Sequence, residues 1–376
     1  MKGILIGLAA IAMGAALSAA PADEYLVYSG TYTNPQNPGI QGFRWHPADG
    51  SLTPLGLMGE VANPSWVTVH PNGKYLYAAG EQTGGRVTAF AINHETGKLT
   101  LLNSVSSGGA GPCHLSFDRS GKFIFAANYD GGSIAVFPVA EDGHVGEASD
   151  FVQHRGQNTI AGADKQRQEA PHAHVSVVSS DNRFVFVADL GLDEVLVYRF
   201  DAGSGKLTPN DPPFWRGHPG AGPRHLAFAP DGKRLYLVNE LNSTVTVLSY
   251  DARSGRLKEL QSLSTLPADF KGENTGAEIE VDPTGRFVYA SNRGHDSIAV
   301  FAVHRNSLQL VQNASTLGKE PRHFTLDPSG KYLLAENQNS NSIVVFHVDP
   351  KTGMLHPSGA PLPVISPVCL AFTPSK

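Results

Sequence analysis

His114-Leu-Ser-Phe-Asp-Arg-Ser-Gly-Lys-Phe-Ile-Phe-Ala-Ala-Asn128 is an apolar run, a tight polar turn and a second apolar run. The pattern returns as Glu278-Ile-Glu-Val-Asp-Pro-Thr-Gly-Arg-Phe-Val-Tyr-Ala-Ser-Asn292 and as His323-Phe-Thr-Leu-Asp-Pro-Ser-Gly-Lys-Tyr-Leu-Leu-Ala-Glu-Asn337. Related copies start at Trp66, His174 and His225, and each copy runs on through a polar tip into a third apolar stretch. Self-similarity at this length means repeat architecture. The turn residues Gly73, Gly121, Asn182, Gly232, Gly285 and Gly330 mark the register, at intervals of 48, 61, 50, 53 and 45 residues. Gly and Asn supply the positive φ that a tight hairpin needs, and the runs are rich in Val, Ile, Phe and Tyr. One unit reads as strands at His114–Phe117, Phe123–Ala127 and Ser133–Val139, with a fourth ending near Val152. Four-stranded repeats of this size predict a β-propeller.

The two ends of the chain complete the count. Cys369-Leu-Ala-Phe-Thr-Pro-Ser-Lys376 reads as a first strand that stops inside its turn. Glu24-Tyr-Leu-Val-Tyr-Ser-Gly30 reads as a second strand, with two more near Gly39–Trp45 and Leu52–Met58. Joined, they form a seventh blade whose inner strand is C-terminal and whose other three strands are N-terminal. Such a blade leaves no open sheet edge. An open array would instead need capping repeats. The expectation is an all-β, seven-bladed propeller of four-stranded blades, closed by a split blade, with residues 23–376 as one domain.

Residues 1–22 stand outside the repeat. Lys2, the apolar stretch Ile4–Leu17 and Ala20-Pro-Ala22 read as a secretory signal peptide. The mature chain is therefore expected in the periplasm, soluble and not membrane-bound. The formal charge of −5 comes without a basic stripe, which argues against nucleic acid as a partner. Export permits disulfides, but Cys113 and Cys369 fall in different blades, so two free thiols are expected. The oligomeric state is left open.

Topology then sorts the residues by face. First and second strands of a blade are antiparallel, so the start of one and the end of the other share one mouth of the channel. The first-strand starts include Pro112-Cys-His114, Pro171-His-Ala-His174, Pro223-Arg-His225, Glu278 and Pro321-Arg-His323. The second-strand ends include Asn128, Asp189, Glu240, Asn292 and Asn337, with Arg293 next in line. The opposite turns carry only Asn, Asp, Ser, Pro and Gly. One mouth thus collects the ionisable side chains. His172, Arg224, Glu240 and Arg293 break the repeat and are the candidate catalytic residues. His114, His225 and His323 recur in register, which fits either ligand binding or a structural lock between blades. Asp189 could cap its turn or face the channel.

The chain has no Gly-x-Ser-x-Gly elbow, no His-Glu-x-x-His and no P-loop. His172-Ala-His174 in a strand would put both rings on one face, so a metal pair is conceivable. The neighbouring arginines oppose a cation, and no metal or cofactor is expected.

These residues carry a resemblance. Gly111-Pro-Cys-His-Leu115, Arg167-Gln-Glu-Ala-Pro-His-Ala-His174, Asp189-Leu-Gly-Leu-Asp193, Gly222-Pro-Arg-His225 with Asn239-Glu240, and Ser291-Asn-Arg-Gly-His-Asp-Ser297 are similar to the 6-phosphogluconolactonase-type lactonases. That seven-bladed propeller family also includes the fungal carboxymuconate cycloisomerase. The resemblance spans essentially residues 24–376. It implies hydrolysis of a sugar lactone, with His172 (or His174), Arg224, Glu240 and Arg293 at the active site. In that reading Glu240 or His172 moves the proton and the arginines hold the developing oxyanion. His174, His225, Asn128, Asp189, Glu278, His323 and Asn337 are candidates for substrate binding. The leader suggests a periplasmic gluconolactonase-like member. Two other functions fit the same face: a non-catalytic binding or scaffold propeller, and a cycloisomerase acting on a dicarboxylate lactone.

Overall fold

A computed structural model describes the chain over residues 22–156 and 161–375. Seven antiparallel sheets follow one another around a ring. Blade 1 begins at Pro64, blade 2 at Pro112, blade 3 at Ala173, blade 4 at Pro223, blade 5 at Thr275 and blade 6 at Pro321. Blade 7 is split, as the ends of the sequence predict. Its inner strand Pro367–Pro374 pairs with Tyr25–Thr31, which pairs with Gly39–His46 and then Ser51–Glu60. The register runs from Tyr25 opposite Pro374 to Gly30 opposite Cys369. All six register-mark turn residues have positive φ, including Asn182 at 62°. The expected leader, residues 1–22, lies outside the described residues apart from Ala22.

Burial follows the alternation of each strand. One side of a blade packs on the preceding blade and the other on the next, so middle strands are apolar on both faces. Each seam has its own core. Phe125 and Val136 of blade 2 meet Val185 and Val187 of blade 3, for example, while Tyr289 and Val300 of blade 5 meet Phe324 and Phe346 of blade 6. Seven such clusters are present, one per seam, including the two that flank the split blade. An open array of seven sheets would show only six.

Two details differ from expectation. The second strand of blade 2 runs to Asn128 and the third stops at Pro138. The outer strand of blade 6 is broken into Leu355–Pro357 and Leu362–Pro363. Pro357, Pro361 and Pro363 lack the N–H that a continuous ladder needs. No helix of the described residues is long and apolar enough to cross a membrane.

Candidate active site

The inner strands all begin with a β-bulge. The pairing register slips between Pro64 and Trp66, Pro112 and His114, Ala173 and Val175, Pro223 and His225, and Pro321 and His323. The same slip occurs between Gly276 and Ile279, and at Gly30 of the split blade. A bulge sets two residues against one, so side chains that would alternate are re-aimed. The unpaired residues are Ser65, Cys113, His174, Arg224, Arg322 and Val368, and all of them reach the channel axis. The bulge is why Arg224 and His225, consecutive in sequence, both line the channel.

The upper mouth is a pocket of about 270 Å³ lined by Arg167, Arg224, Arg293, Arg322, Glu81, Glu240, Cys113, Tyr129 and His174. Glu240 is its hub. Arg167 Nη2 donates to Oε1 at 2.7 Å, Arg293 Nη2 lies 3.2 Å from the same oxygen, and Arg224 Nε lies 2.9 Å from Oε2. The Arg224 contact is an ion pair by distance, but its N–H does not point along it, and Nε has no hydrogen-bond acceptor. Arg293 Nε is likewise unpartnered. Burial alone would raise the Glu240 carboxyl, but Arg293, Arg224 and Arg167 outweigh it and hold it at about 2. Burial and Arg293 bring Arg224 down to about 10, so it stays cationic at neutral pH. Arg322 lies 3.6 Å from Glu81 and stacks over Tyr32, whose hydroxyl donates to Glu81 at 2.9 Å. Burial pushes the His174 imidazole well below its ordinary range, and Arg224, His225, Arg322 and Arg293 push it further. It is therefore neutral, and its Nδ1 has no partner.

Arg224, Glu240 and Arg293 thus converge, as the sequence predicts, but His172 does not join them. It sits before the bulge, outside the pocket lining. Its ring stacks on Tyr129 at 4.6 Å, with Nδ1 3.0 Å from the Tyr129 carbonyl and Nε2 3.1 Å from Glu169. Tyr129 also meets His174 edge-on at 5.5 Å, so one tyrosine ring touches both histidines. Among the described residues, no group of three or more His, Cys, Asp or Glu side chains is placed to hold a metal ion.

Several expected substrate contacts are internal braces. Asn128 Nδ2 donates to Ser107 O at 3.2 Å and Ser133 Oγ at 3.1 Å, and Asn337 Nδ2 donates to Thr316 O at 3.0 Å. Both are fully buried in their own blades. Asp189 is also fully buried. One oxygen lies 2.6 Å from His154 Nδ1, and the other accepts from the backbone N–H of His172 and Leu192. The second-strand end at these positions locks the connection from the preceding blade or the local turn, because a buried side-chain amide or carboxylate there satisfies their polar groups.

His225, Glu278 and His323 lie deeper, in a belt across the channel. Trp66 packs against His114, His225 and His323 with ring centroids 4.3, 5.4 and 5.3 Å away. Below the belt a second chamber of about 500 Å³ opens toward the other mouth. Sequence reasoning assigned no catalytic or binding role to Arg167, Tyr129, Glu81, Trp66 or Arg322. Arg167 stands on the segment before blade 3, outside any repeat position, so register alone could not place it. Both cysteines are free and buried, as expected. An outer cleft of about 220 Å³ on blade 7, between Gln36 and Ile365, has no ionisable lining residue.

The family model of the seven-bladed β-propeller lactonases matches residues 26–372. The chain is 37% identical to a 6-phosphogluconolactonase of Bacillus subtilis, over 93% of this chain and 98% of that protein. A 6-phosphogluconolactonase of Formosa agariphila is 34% identical over 80% of this chain and 86% of its own length. Among solved structures, the periplasmic gluconolactonase of Pseudomonas aeruginosa superposes with a TM-score of 0.88 at 34% identity, over 94% of this chain and 100% of that one.

Proposed function

Since the chain belongs to the seven-bladed β-propeller lactonase family, we propose that it hydrolyses a sugar lactone in the upper pocket. The observation that carries this reading is the convergence of Arg224 and Arg293 on Glu240 beside the neutral His174. Hydrolysis needs a proton acceptor for water and fixed positive charge where the carbonyl oxygen becomes anionic. Arg224 and Arg293 supply that charge, and both keep an unpartnered Nε–H in the pocket. Glu240 is the counter-charge that orients them. Both Glu240 oxygens are already engaged by guanidinium groups, whereas His174 is neutral and keeps an unpartnered Nδ1. That favours His174 as the group that takes the proton from water. Arg322 and Arg167 complete a cationic rim that suits the carboxylate product. A periplasmic location, and a single exported domain over residues 23–376, are part of the same proposal. They rest on the leader sequence and on the periplasmic relative.

The test separates the two histidines. His174→Ala lowers kcat by roughly 10²-fold or more, the scale for losing a general base. His172→Ala has a mild effect, because it supports Tyr129 from outside the pocket. The reverse pattern would return the proton-transfer role to His172. Wild-type kcat in both variants would reject imidazole catalysis.

A further inference from the structure

Between the upper pocket and the lower chamber lies a small void of about 10 Å³. That is room for one water molecule. Four of its lining residues carry a buried polar atom with no hydrogen-bond partner: Ser65 Oγ, His174 Nδ1, His225 Nε2 and Glu278 Oε2. A buried polar atom left alone is costly, so four of them around one water-sized space mark a built polar site.

The belt continues this site downward. His225 Nδ1 lies 2.8 Å from Glu278 Oε1, Glu278 Oε2 lies 3.7 Å from His323 Nε2, and His323 Nδ1 lies 2.9 Å from Glu336 Oε2. All four side chains are at least nine-tenths buried. Above the void, His174 meets His225 edge-on at 5.0 Å. The pairs alternate imidazole and carboxylate around the ring, and His225, Glu278 and His323 line both the void and the lower chamber.

We propose that a water in this void joins His174 to the His225–Glu278–His323 belt, and that the belt carries the proton released by lactone hydrolysis from the upper pocket to the lower chamber, which these three residues also line. The proposal rests on the lactonase reading above. In that reaction water oxygen bonds to the carbonyl carbon and the ring C–O bond breaks. One water proton ends on the freed alcohol. The other is released, because the acid product is ionised at neutral pH. Four arginines line the upper pocket against two glutamates, so a proton leaving upward meets net positive charge. Glu278 and Glu280 line the lower chamber. Burial raises Glu280 to about 7, so its carboxyl exchanges a proton near neutrality. The charged groups that face the belt are Arg224 from blade 4, Glu280 from blade 5 and Glu336 from blade 6.

Glu278→Gln keeps the shape of the belt and removes its central carboxylate. On glucono-1,5-lactone its kcat should fall by up to roughly 10²-fold at unchanged KM. The loss should shrink as small buffers such as imidazole are raised, and the D2O effect on kcat should exceed that of wild type. Glu280→Gln should show the same signs more weakly, and it decides the matter if the first variant does not fold. Wild-type kcat and buffer independence in these variants would overturn the path. So would a loss of kcat that no buffer restores, which marks a merely structural belt. A wild type that does not turn over lactones rejects the lactonase reading, and the path with it.

Discussion

At Glu240 and His323, burial and neighbouring charge act in opposite directions, and charge wins in both. Glu240 is 4% exposed, yet three guanidiniums keep it ionised. Burial would lower the His323 imidazole, but Glu336, Glu278 and Glu280 raise it to about 9. Its partners differ. His225 and His323 outweigh burial at Glu278 and hold it at about 2, whereas burial wins at Glu336 and raises it. The His323–Glu278 attraction is the safer basis for a prediction, since both shifts there favour the charged forms. The His323 value exceeds its ordinary 6.5, so its contribution to stability is complete below pH 6.5 and is lost as pH rises through about 9. The Glu278 value is depressed from its ordinary 4.5, so its contribution is complete above pH 4.5 and is lost as pH falls through about 2. Thermal melting of wild type against His323→Gln should therefore show a wild-type decline between pH 6.5 and 9 that the variant lacks. Parallel curves would contradict the charged state assigned to His323.

The element that closes the ring is the C-terminal strand. Val368, Cys369 and Leu370 are 2%, 0% and 5% exposed, and they pack into the channel axis and both seams of blade 7. Burial of an aliphatic side chain is worth roughly 1.5–3 kcal/mol. Losing this strand with its ladder therefore takes a large share of the roughly 5–15 kcal/mol that holds a protein folded. Deletion of residues 368–376 should abolish cooperative unfolding or solubility, and an unchanged melting transition would refute closure by the split blade. The strand order, the hairpin turns and this closure were legible in the sequence, because turn residues and alternating apolar runs depend on neighbours only a few positions away. The side-chain directions at the inner-strand starts were not. A bulge shifts the alternation by one, and it is this shift that turns His174 rather than His172 into the channel. Asn128, Asp189 and Asn337 stand at the right end of the right strands. Their side chains brace neighbouring turns and the connections from the preceding blade, a choice set by groups that strand periodicity does not report.

For the whole molecule, the ring divides labour between its two ends. The upper mouth holds the arginines, Glu240 and His174. The lower chamber holds carboxylates and hydroxyls, and the aromatic and histidine belt separates them. Read as a leader, residues 1–22 predict that protein from an export-competent host begins at or near Asp23. Recovery of the chain only from the cytoplasm, with Met1 intact, would contradict export. The central claim is that the upper pocket hydrolyses a sugar lactone. Its most direct test is the initial rate of glucono-1,5-lactone hydrolysis by the purified protein, corrected for spontaneous opening and run beside Arg224→Ala. Wild-type protein should give a rate above the blank that scales with protein concentration. Arg224→Ala should lose roughly 10²–10³-fold, the scale for removing one oxyanion donor. A wild-type rate equal to the buffer blank, or full activity in Arg224→Ala, would contradict it.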